Sequence, residues 1–401
     1  MDNRAPTTQY ADECNRCLHC AKPTCQAGCP IGNDVPTFLQ LVKDQRFDKA
    51  VEVIGHPFGE ICGYVCAREQ QCQGGCVLAK REQAINIGQV EQEIFAQHPY
   101  MVQRKASEGS ASCGMKVAVV GGGVTGITLA VKMYEQGANV TVFERDELLS
   151  TLKLIPSFRL PREAIDRVLD SVDGKFAVVK KDVKCEDIFA GMNDFDAIYV
   201  ATGASVPYGL GVDGQELATP YDEFLKNDSH QGSVVVIGGG NTAMDCARLA
   251  KRNGSTVTVV YRRTREDMPA FTREIDLAYD EGVQFAYNVA PVKLEQKDGK
   301  LLLTVAKTVS EGRGKLTVMD ETHVIECDTV VSALGAKFDK DNIYGAFYEW
   351  LMDLSKPNNP YNPRFNLYIG GDALGASTVA NAVADGLKVA HAILKDYNKK
   401  R

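Results

Sequence analysis

The sequence predicts an α/β protein with an all-α, cysteine-rich N-terminal segment and two Rossmann-like dinucleotide-binding units. Three observations predict it. The stretch from Lys116 to Glu144 reads strand, glycine-rich turn, helix, strand. The same order returns from Ser233 to Arg263. Nine of the 13 cysteines lie before residue 80.

In the first unit the apolar run Val117–Val120 reads as a buried parallel strand. Gly121, Gly123 and Gly126 then open an amphipathic helix, and a second β-rich run, Val140 to Phe143, ends in Glu144. The glycines let the backbone turn tightly and approach a pyrophosphate, which the helix N-terminus meets with unpaired N–H groups and the positive end of its dipole. The acid takes ribose hydroxyls. Alone, the glycine pattern would be only a βα turn; with strand, helix and acid in place it marks a nucleotide site.

In the second unit Gly238-x-Gly240-x-x-Ala243 opens the helix, and the following strand ends in Tyr261-Arg262-Arg263. An acid there would bind the 2′-hydroxyl of NAD. Arginines suit the 2′-phosphate of NADP, because a guanidinium pairs bidentately with phosphate oxygens. The plain alternative is a solvated basic strand end. The acid-ended site thus suits FAD or NAD and the arginine-ended one NADPH, a combination that points to a flavin reductase taking hydride from NADPH. Residues 198–204, IYVATGA, read as a buried strand entering a turn. Residues 367–386 read as strand, Gly371-Asp372 and a helix start, where an Asp can hold flavin ribityl hydroxyls. Residues 301–309 and 315–326 read as a β-hairpin or meander.

Composition bounds the rest. The chain of 401 residues fits two or three domains, and its 44% apolar and 24% charged residues are those of a globular protein with real cores. A net charge of −7 lacks the basic footprint of a nucleic-acid binder. No apolar run reaches bilayer-spanning length, and the N-terminal residues show no secretory h-region. Crowded cysteines without a secretory signal favour metal or cluster ligation over disulfides, in a reducing, cytoplasmic setting.

The cysteines form two blocks, Cys17-x2-Cys20-x4-Cys25-x3-Cys29-Pro30 and Cys62-x3-Cys66-x5-Cys72-x3-Cys76, with Cys14 just upstream. Close thiolates and a Cys-Pro ending favour two [4Fe–4S] clusters; a four-cysteine zinc site is the competing reading. Residues 34–54 and 85–95 have apolar residues at helical spacing, and the polar run 102–114 reads as a linker.

These motifs carry a resemblance. CLHCAKPTCQAGCP, ICGYVCAREQQCQGGC, INIGQVEQ, VVGGGVTG, IPSFRLP, ATGA, VIGGGNTAMDCAR, VYRRTREDMPAF and GGDALGASTVANAVADG span essentially the whole chain. Together they resemble the glutamate synthase small (beta) subunit family, which includes the N-terminal half of dihydropyrimidine dehydrogenase and its bacterial NAD(P)H-oxidising subunit. The resemblance implies two Rossmann-like domains, one inserted in the other: a helical Fe–S domain at 1–110, an FAD domain at 111–205 and 330–401, and an NADPH domain at 206–329. It implies one [4Fe–4S] cluster on Cys17, Cys20, Cys25 and Cys76, and a second on Cys29, Cys66, Cys72 and the non-thiol ligand Glu91, with Cys14 and Cys62 as non-ligands. It implies FAD on Gly121, Gly123, Gly126, Glu144, Arg159 and Asp372, and NADPH on Gly238, Gly240, Asn241, Thr242, Arg262 and Arg263.

The chain departs from the family after Glu144. Relatives carry a Gly-Gly pair before Ile-Pro; here the stretch RDELLSTLKL is two residues shorter and has no glycine. Val124-Thr125 also replaces a Pro-Ala pair. The expected chemistry is electron relay from NADPH through FAD and the clusters, with no catalytic acid or base. The chain ends soon after its flavin helix, so the expected acceptor is a partner subunit in a hetero-oligomer. The competing readings are a subunit of a dihydropyrimidine dehydrogenase or another redox complex, an electron-wiring subunit impaired in flavin turnover, and a thioredoxin-reductase-like enzyme. Against the last, neither Cys246 nor Cys113 belongs to a CxxC pair.

Overall fold

The structure is a computed structural model that describes residues 9–104, 114–183, 187, 194–204, 206–227, 231–310, 316–337, 361–362, 366–374 and 378–399. Most of the expected linker, including Cys113, lies outside them, as does the part of the expected FAD domain between 338 and 360. The chain divides into two units, one of residues 1–153, 157–204 and 338–401, the other of residues 154–156 and 205–337.

The first unit begins with six helices: α1 (Gln9–Asn15), α2 (Thr24–Gly28), α3 (Val35–Lys43), α4 (Phe47–Ile54), α5 (Gly59–Val65) and α6 (Ile87–Gln97). Two are capped by the residue types that favour helix starts. Asp34 accepts from the Thr37 N–H at 3.2 Å and Asn86 from the Gln89 N–H at 3.3 Å. The apolar spacing of α3 buries Val35, Phe38, Leu39 and Val42 on one stripe. Helices α5 and α6 cross closely because Gly63 faces the Gly88 carbonyl, where a Cβ would come within 2.5 Å.

The same unit holds a six-stranded sheet in the order β15-β16-β4-β1-β2-β3. Its strands are β1 (Lys116–Val120), β2 (Asn139–Glu144), β3 (Ala177–Lys180), β4 (Ala197–Val200), β15 (Tyr361–Asn362) and β16 (Leu367–Ile369). All neighbours are parallel except the β15–β16 edge. The strand β4 is buried along its whole length, as a sheet covered on both faces requires. The helix α7 (Val124–Glu135) and the C-terminal helix Val379–Lys399 pack together over one of these faces, on a core that includes Val119, Leu129, Met133, Tyr199 and Val389. The helical segment joins this sheet domain through Arg167, which donates to both carboxylate oxygens of the buried Glu60, and through Tyr100, whose hydroxyl donates to Glu135 at 2.5 Å.

The second unit carries a five-stranded parallel sheet in the order β6-β13-β7-β8-β9. Its strands are β6 (Thr219–Pro220), β7 (Ser233–Ile237), β8 (Thr256–Tyr261), β9 (Gln284–Tyr287) and β13 (Thr329–Ser332). Residues 289–327 form an antiparallel meander of β10 (Val289–Lys297), β11 (Lys300–Ser310) and β12 (Leu316–Cys327). The short strands β5 (Val206–Pro207) and β14 (Ala336–Lys337) pair where the chain enters and leaves the unit. The expected boundary at 329/330 falls on β13, which pairs with β7, so the second unit runs on to residue 337. Among the described residues no helix is long and apolar enough to cross a membrane.

Candidate functional site: two nucleotide loops and two thiol groups

The first glycine loop joins β1 to α7. Gly121 has φ +108, and a Cβ there would lie 2.4 Å from the Ala201 carbonyl oxygen, so only glycine fits. At Gly126 a Cβ would fall 2.0 Å from Gly121 O, which keeps helix and strand tightly apposed. Gly123 is the N-cap of α7 and faces open space, the cradle a pyrophosphate needs. Glu144 ends β2 and reaches back to the loop: Oε2 accepts from the Gly122 N–H at 2.5 Å and Oε1 from the Asp146 N–H at 2.8 Å. A carboxylate has further lone pairs, so ribose hydroxyls remain within its capacity.

The glycine-free stretch after Glu144 folds over this loop. Leu149 is fully buried, has φ +57, and donates its N–H to Gly122 O at 2.9 Å. A left-handed backbone costs an ordinary L-residue roughly 1–2 kcal/mol. Burial of the Leu149 side chain offsets that cost here. The Leu148 side chain stands against Gly122.

At the end of β16, Asp385 organises the turn that carries Asp372. Its Oδ2 accepts from the Gly371 N–H at 2.7 Å and from the Tyr199 hydroxyl at 3.2 Å. The Gly370 turn passes so close that a Cβ there would touch both groups. Burial, with Asp385 beside it, holds the Tyr199 phenol well above its usual pKa. Arg159, half-buried, follows the Ile155-Pro156 segment. Asp385 was missed by sequence reasoning. It sits among alanines at helical spacing, with no local signal beyond its place after the Gly-Asp turn.

The second loop repeats the first. Gly238 has φ +144, and its Cβ would lie 2.2 Å from Ala333 O. Gly240 caps the helix Asn241–Arg252 and faces open space. Asn241 accepts from the Phe271 N–H at 2.9 Å, which ties the following loop down, and Thr242 is half-buried beside it. Arg248 is buried and pairs with Glu274 at 2.6 Å and Glu281 at 2.9 Å, so the helix is anchored from behind. Arg262 is exposed. Arg263 is half-buried, with a buried Nε that has no hydrogen-bond partner among the described residues. A buried, unsatisfied guanidinium donor at the strand end suits an anion.

The cysteines divide into two groups that cut across the two blocks. Cys17, Cys20, Cys25 and Cys76 line one pocket of about 380 Å³, counting its open mouth, with Leu18, Leu39 and Ile87 among the apolar walls. Cys76 reaches this group because Gly75 packs on the Thr24 carbonyl, where a Cβ would lie 2.5 Å away, and Thr24 Oγ1 donates to Gly75 O. Burial raises the Cys17 thiol, and raises Cys25 to about 11.

The second group holds Cys29, Cys66, Cys72 and Glu91, close enough that Glu91 acts electrostatically on Cys29 and Cys72, and Cys66 on Cys72. Glu91 is 5% exposed and projects from α6. Burial pushes its carboxyl up to about 8, against the opposing charge of Arg68 and a hydrogen bond from Asn33. Asn33 Oδ1 is itself buried without a partner. Arg68 was not anticipated. It is buried, bonds Asn86 Oδ1 at 3.3 Å, and occupies the space a side chain at Gly88 would need. Gly88 therefore makes room for a guanidinium. Cys62 belongs spatially to this group, and Cys14, raised to about 12 by burial, adjoins Cys17. Buried neutral thiols and a carboxylic acid are donors that release protons when a metal binds. Among the described residues no three or more His, Cys, Asp or Glu are gathered tightly enough for a single metal ion.

Residues 115–386 match the pyridine nucleotide-disulphide oxidoreductase family, and residues 1–102 match dihydropyrimidine dehydrogenase domain II, 4Fe-4S cluster. The glutamate synthase [NADPH] small chain of Escherichia coli is 30% identical, over 96% of this chain and 91% of its own. The chain belongs to the glutamate synthase small-chain family. This family member is also 28% identical to the NADPH-Fe(3+) oxidoreductase subunit beta of Geobacter sulfurreducens, over 83% of this chain and 54% of that one. Among solved structures, Mycobacterium tuberculosis FprA in complex with NADPH superposes with a TM-score of 0.54 at 17% identity, covering 71% of this chain and 85% of that one. Thioredoxin reductase of T. acidophilum gives 0.53 at 18% identity, covering 70% and 97%; both likenesses are of fold alone. The chain is an NADPH-dependent flavin and iron–sulfur oxidoreductase using FAD and [4Fe–4S] chemistry. Cys246 does not supply a thioredoxin-reductase pair: it is fully buried in the Asn241–Arg252 helix, and burial holds its thiol well above the usual range.

Proposed function

We propose that this protein is the NADPH-oxidising subunit of a multi-subunit redox complex and relays electrons through FAD and two [4Fe–4S] clusters to a partner subunit. The observation that carries the two-cluster reading is the sorting of thiols across the blocks: Cys17, Cys20 and Cys25 meet Cys76, while Cys29 joins Cys66, Cys72 and Glu91. Two independent sets of four donors suit two cubanes. When bound, FAD supplies the exchange between a two-electron hydride and single electrons, which the clusters carry.

The chain's own residues do the positioning. Gly121, Gly123 and Gly126 bring the backbone to the FAD pyrophosphate, and Glu144 orients the adenosine ribose. Arg159 and Asp372 line the flavin side, with Asp385 fixing the turn that carries Asp372. Gly238, Gly240, Asn241 and Thr242 form the NADPH phosphate cradle, and Arg262 and Arg263 select the 2′-phosphate. The helical domain at 1–110 brings the two thiol groups to the FAD domain, with residues 206–337 as the NADPH domain. No side chain needs to move a proton for the relay.

The relatives' names are those of subunits, a small chain and a subunit beta, which supports a hetero-oligomer whose large subunit reduces the final acceptor. A reducing cytoplasmic setting suits the free thiols. Iron and acid-labile sulfide in anaerobically purified protein test the reading. About eight irons per chain are expected, four per cubane, with Cys20→Ala removing one cluster and Cys66→Ala the other. Stoichiometric zinc without sulfide would refute it.

A further inference from the structure

The second thiol group holds one sulfur more than its candidate ligands. Cys62 lies in α5, and Cys66 caps that helix four residues on, its N–H donating to Cys62 O at 3.1 Å. The i,i+4 register puts both side chains on one helix face. One helical turn apart on that face, the two sulfurs lie within reach of a hydrogen bond. Cys62 is 4% exposed, so water does not compete for such a bond. Close packing of α5 on α6 at Gly63 holds the pair against the helix that carries Glu91.

We infer that the Cys62 thiol donates a hydrogen bond to the Cys66 sulfur and thereby raises the reduction potential of the cluster held by Cys29, Cys66, Cys72 and Glu91. This rests on the ligand assignment proposed above. A ligating sulfur is a thiolate without a proton, so it can only accept and Cys62 must donate. One-electron reduction adds negative charge to the cluster and its thiolates. A hydrogen bond to a ligating sulfur stabilises the reduced form more than the oxidised one. The proton stays on Cys62 throughout, and no bond is made or broken. Cys62 is a positioning residue, and the Arg68 charge beside Glu91 acts in the same direction.

The test is an EPR-monitored redox titration of the anaerobic holoprotein carrying Cys62→Ala, Cys62→Val or Cys62→Ser. The signal lost in Cys66→Ala identifies the cluster. Ala and Val should retain iron and sulfide but lower the reduced-to-oxidised ratio of that cluster about tenfold at fixed potential, a shift of about 59 mV for one electron. The other cluster should not move, and Ser, which keeps a donor, should titrate near wild type. Val fills the space that Ala would leave empty, should Ala fail to fold. Unchanged potentials in all three variants would overturn the inference and leave the ligand assignment standing, and loss of iron in all three would make Cys62 a ligand and also overturn it. A Cys66→Ala protein that keeps every cluster signal would instead refute the underlying assignment.

Discussion

The two glycine loops share the same turn and differ most at the strand end. Gly121 and Gly238 both turn at positive φ against a neighbouring strand's carbonyl, and Gly123 and Gly240 both cap a helix facing open space. Past that point they diverge. Glu144 bends back to accept the Gly122 N–H, whereas the Tyr261 ring packs under Gly239 and leaves Arg262 and Arg263 at the strand end. In the reading proposed above, phosphate binding belongs to the shared turn, and the choice of nucleotide to one or two residues beyond it. The thiol groups show the same division of labour. Both use close cysteines, but one lines an open apolar pocket and the other surrounds a buried carboxyl and a guanidinium.

The largest effects should come from breaking what the loops share. Gly121→Ala forces a Cβ into the Ala201 carbonyl and should yield protein without FAD. Gly238→Ala forces one into the Ala333 carbonyl and should leave FAD bound but abolish its reduction by NADPH. Flavin content and dithionite reduction separate the two. Retention of both activities in both variants would mean the loops do not hold nucleotides.

The next effect sharpens the difference. Replacing Arg262 or Arg263 by Ala should cost about 1.5–3 kcal/mol per charged hydrogen bond. That should appear as a rise in the KM for NADPH with the KM for NADH little changed. An equal rise for both would reduce the arginines to general charge. Glu144→Gln keeps an oxygen for the Gly122 N–H but loses the charge. It should weaken FAD binding by about 1 kcal/mol, measured as flavin release on dilution.

A further effect concerns Glu91. Its carboxyl titrates near 8 in the folded, metal-free chain, because burial disfavours the charged form. A raised pKa contributes stability that is complete below the unfolded pKa near 4.5 and is lost as pH rises through about 8. Metal-free protein should therefore melt lower at pH 9 than at pH 6, and Glu91→Gln should flatten that dependence. A Glu91→Gln protein with the wild-type pH slope would argue against a buried acid.

Much of this was legible in the sequence because the signals are local. The βαβ glycines, the strand-end residues and the apolar spacing of α3 and α6 each lie within a few residues of what they specify. Residues that act across the fold were not legible. Arg68 comes beside Glu91 because Gly88 leaves room for its guanidinium. Asp385 reaches Gly371 from a helix whose pattern shows only its buried apolar stripe. The end of the inserted unit was displaced for the same reason, since β13 follows the meander in sequence but pairs with β7. The stretch after Glu144 carries no glycine, yet Leu149 still takes the left-handed backbone, stabilised by burial that a local reading cannot see.

The most direct test of the relay is to mix the anaerobic, as-purified protein with NADPH or NADH and follow flavin absorbance and cluster EPR together. NADPH should bleach the flavin faster than NADH, and a [4Fe–4S] signal that Cys66→Ala abolishes should then grow. Flavin that stays oxidised under NADPH, in protein that holds both FAD and clusters, would contradict the account.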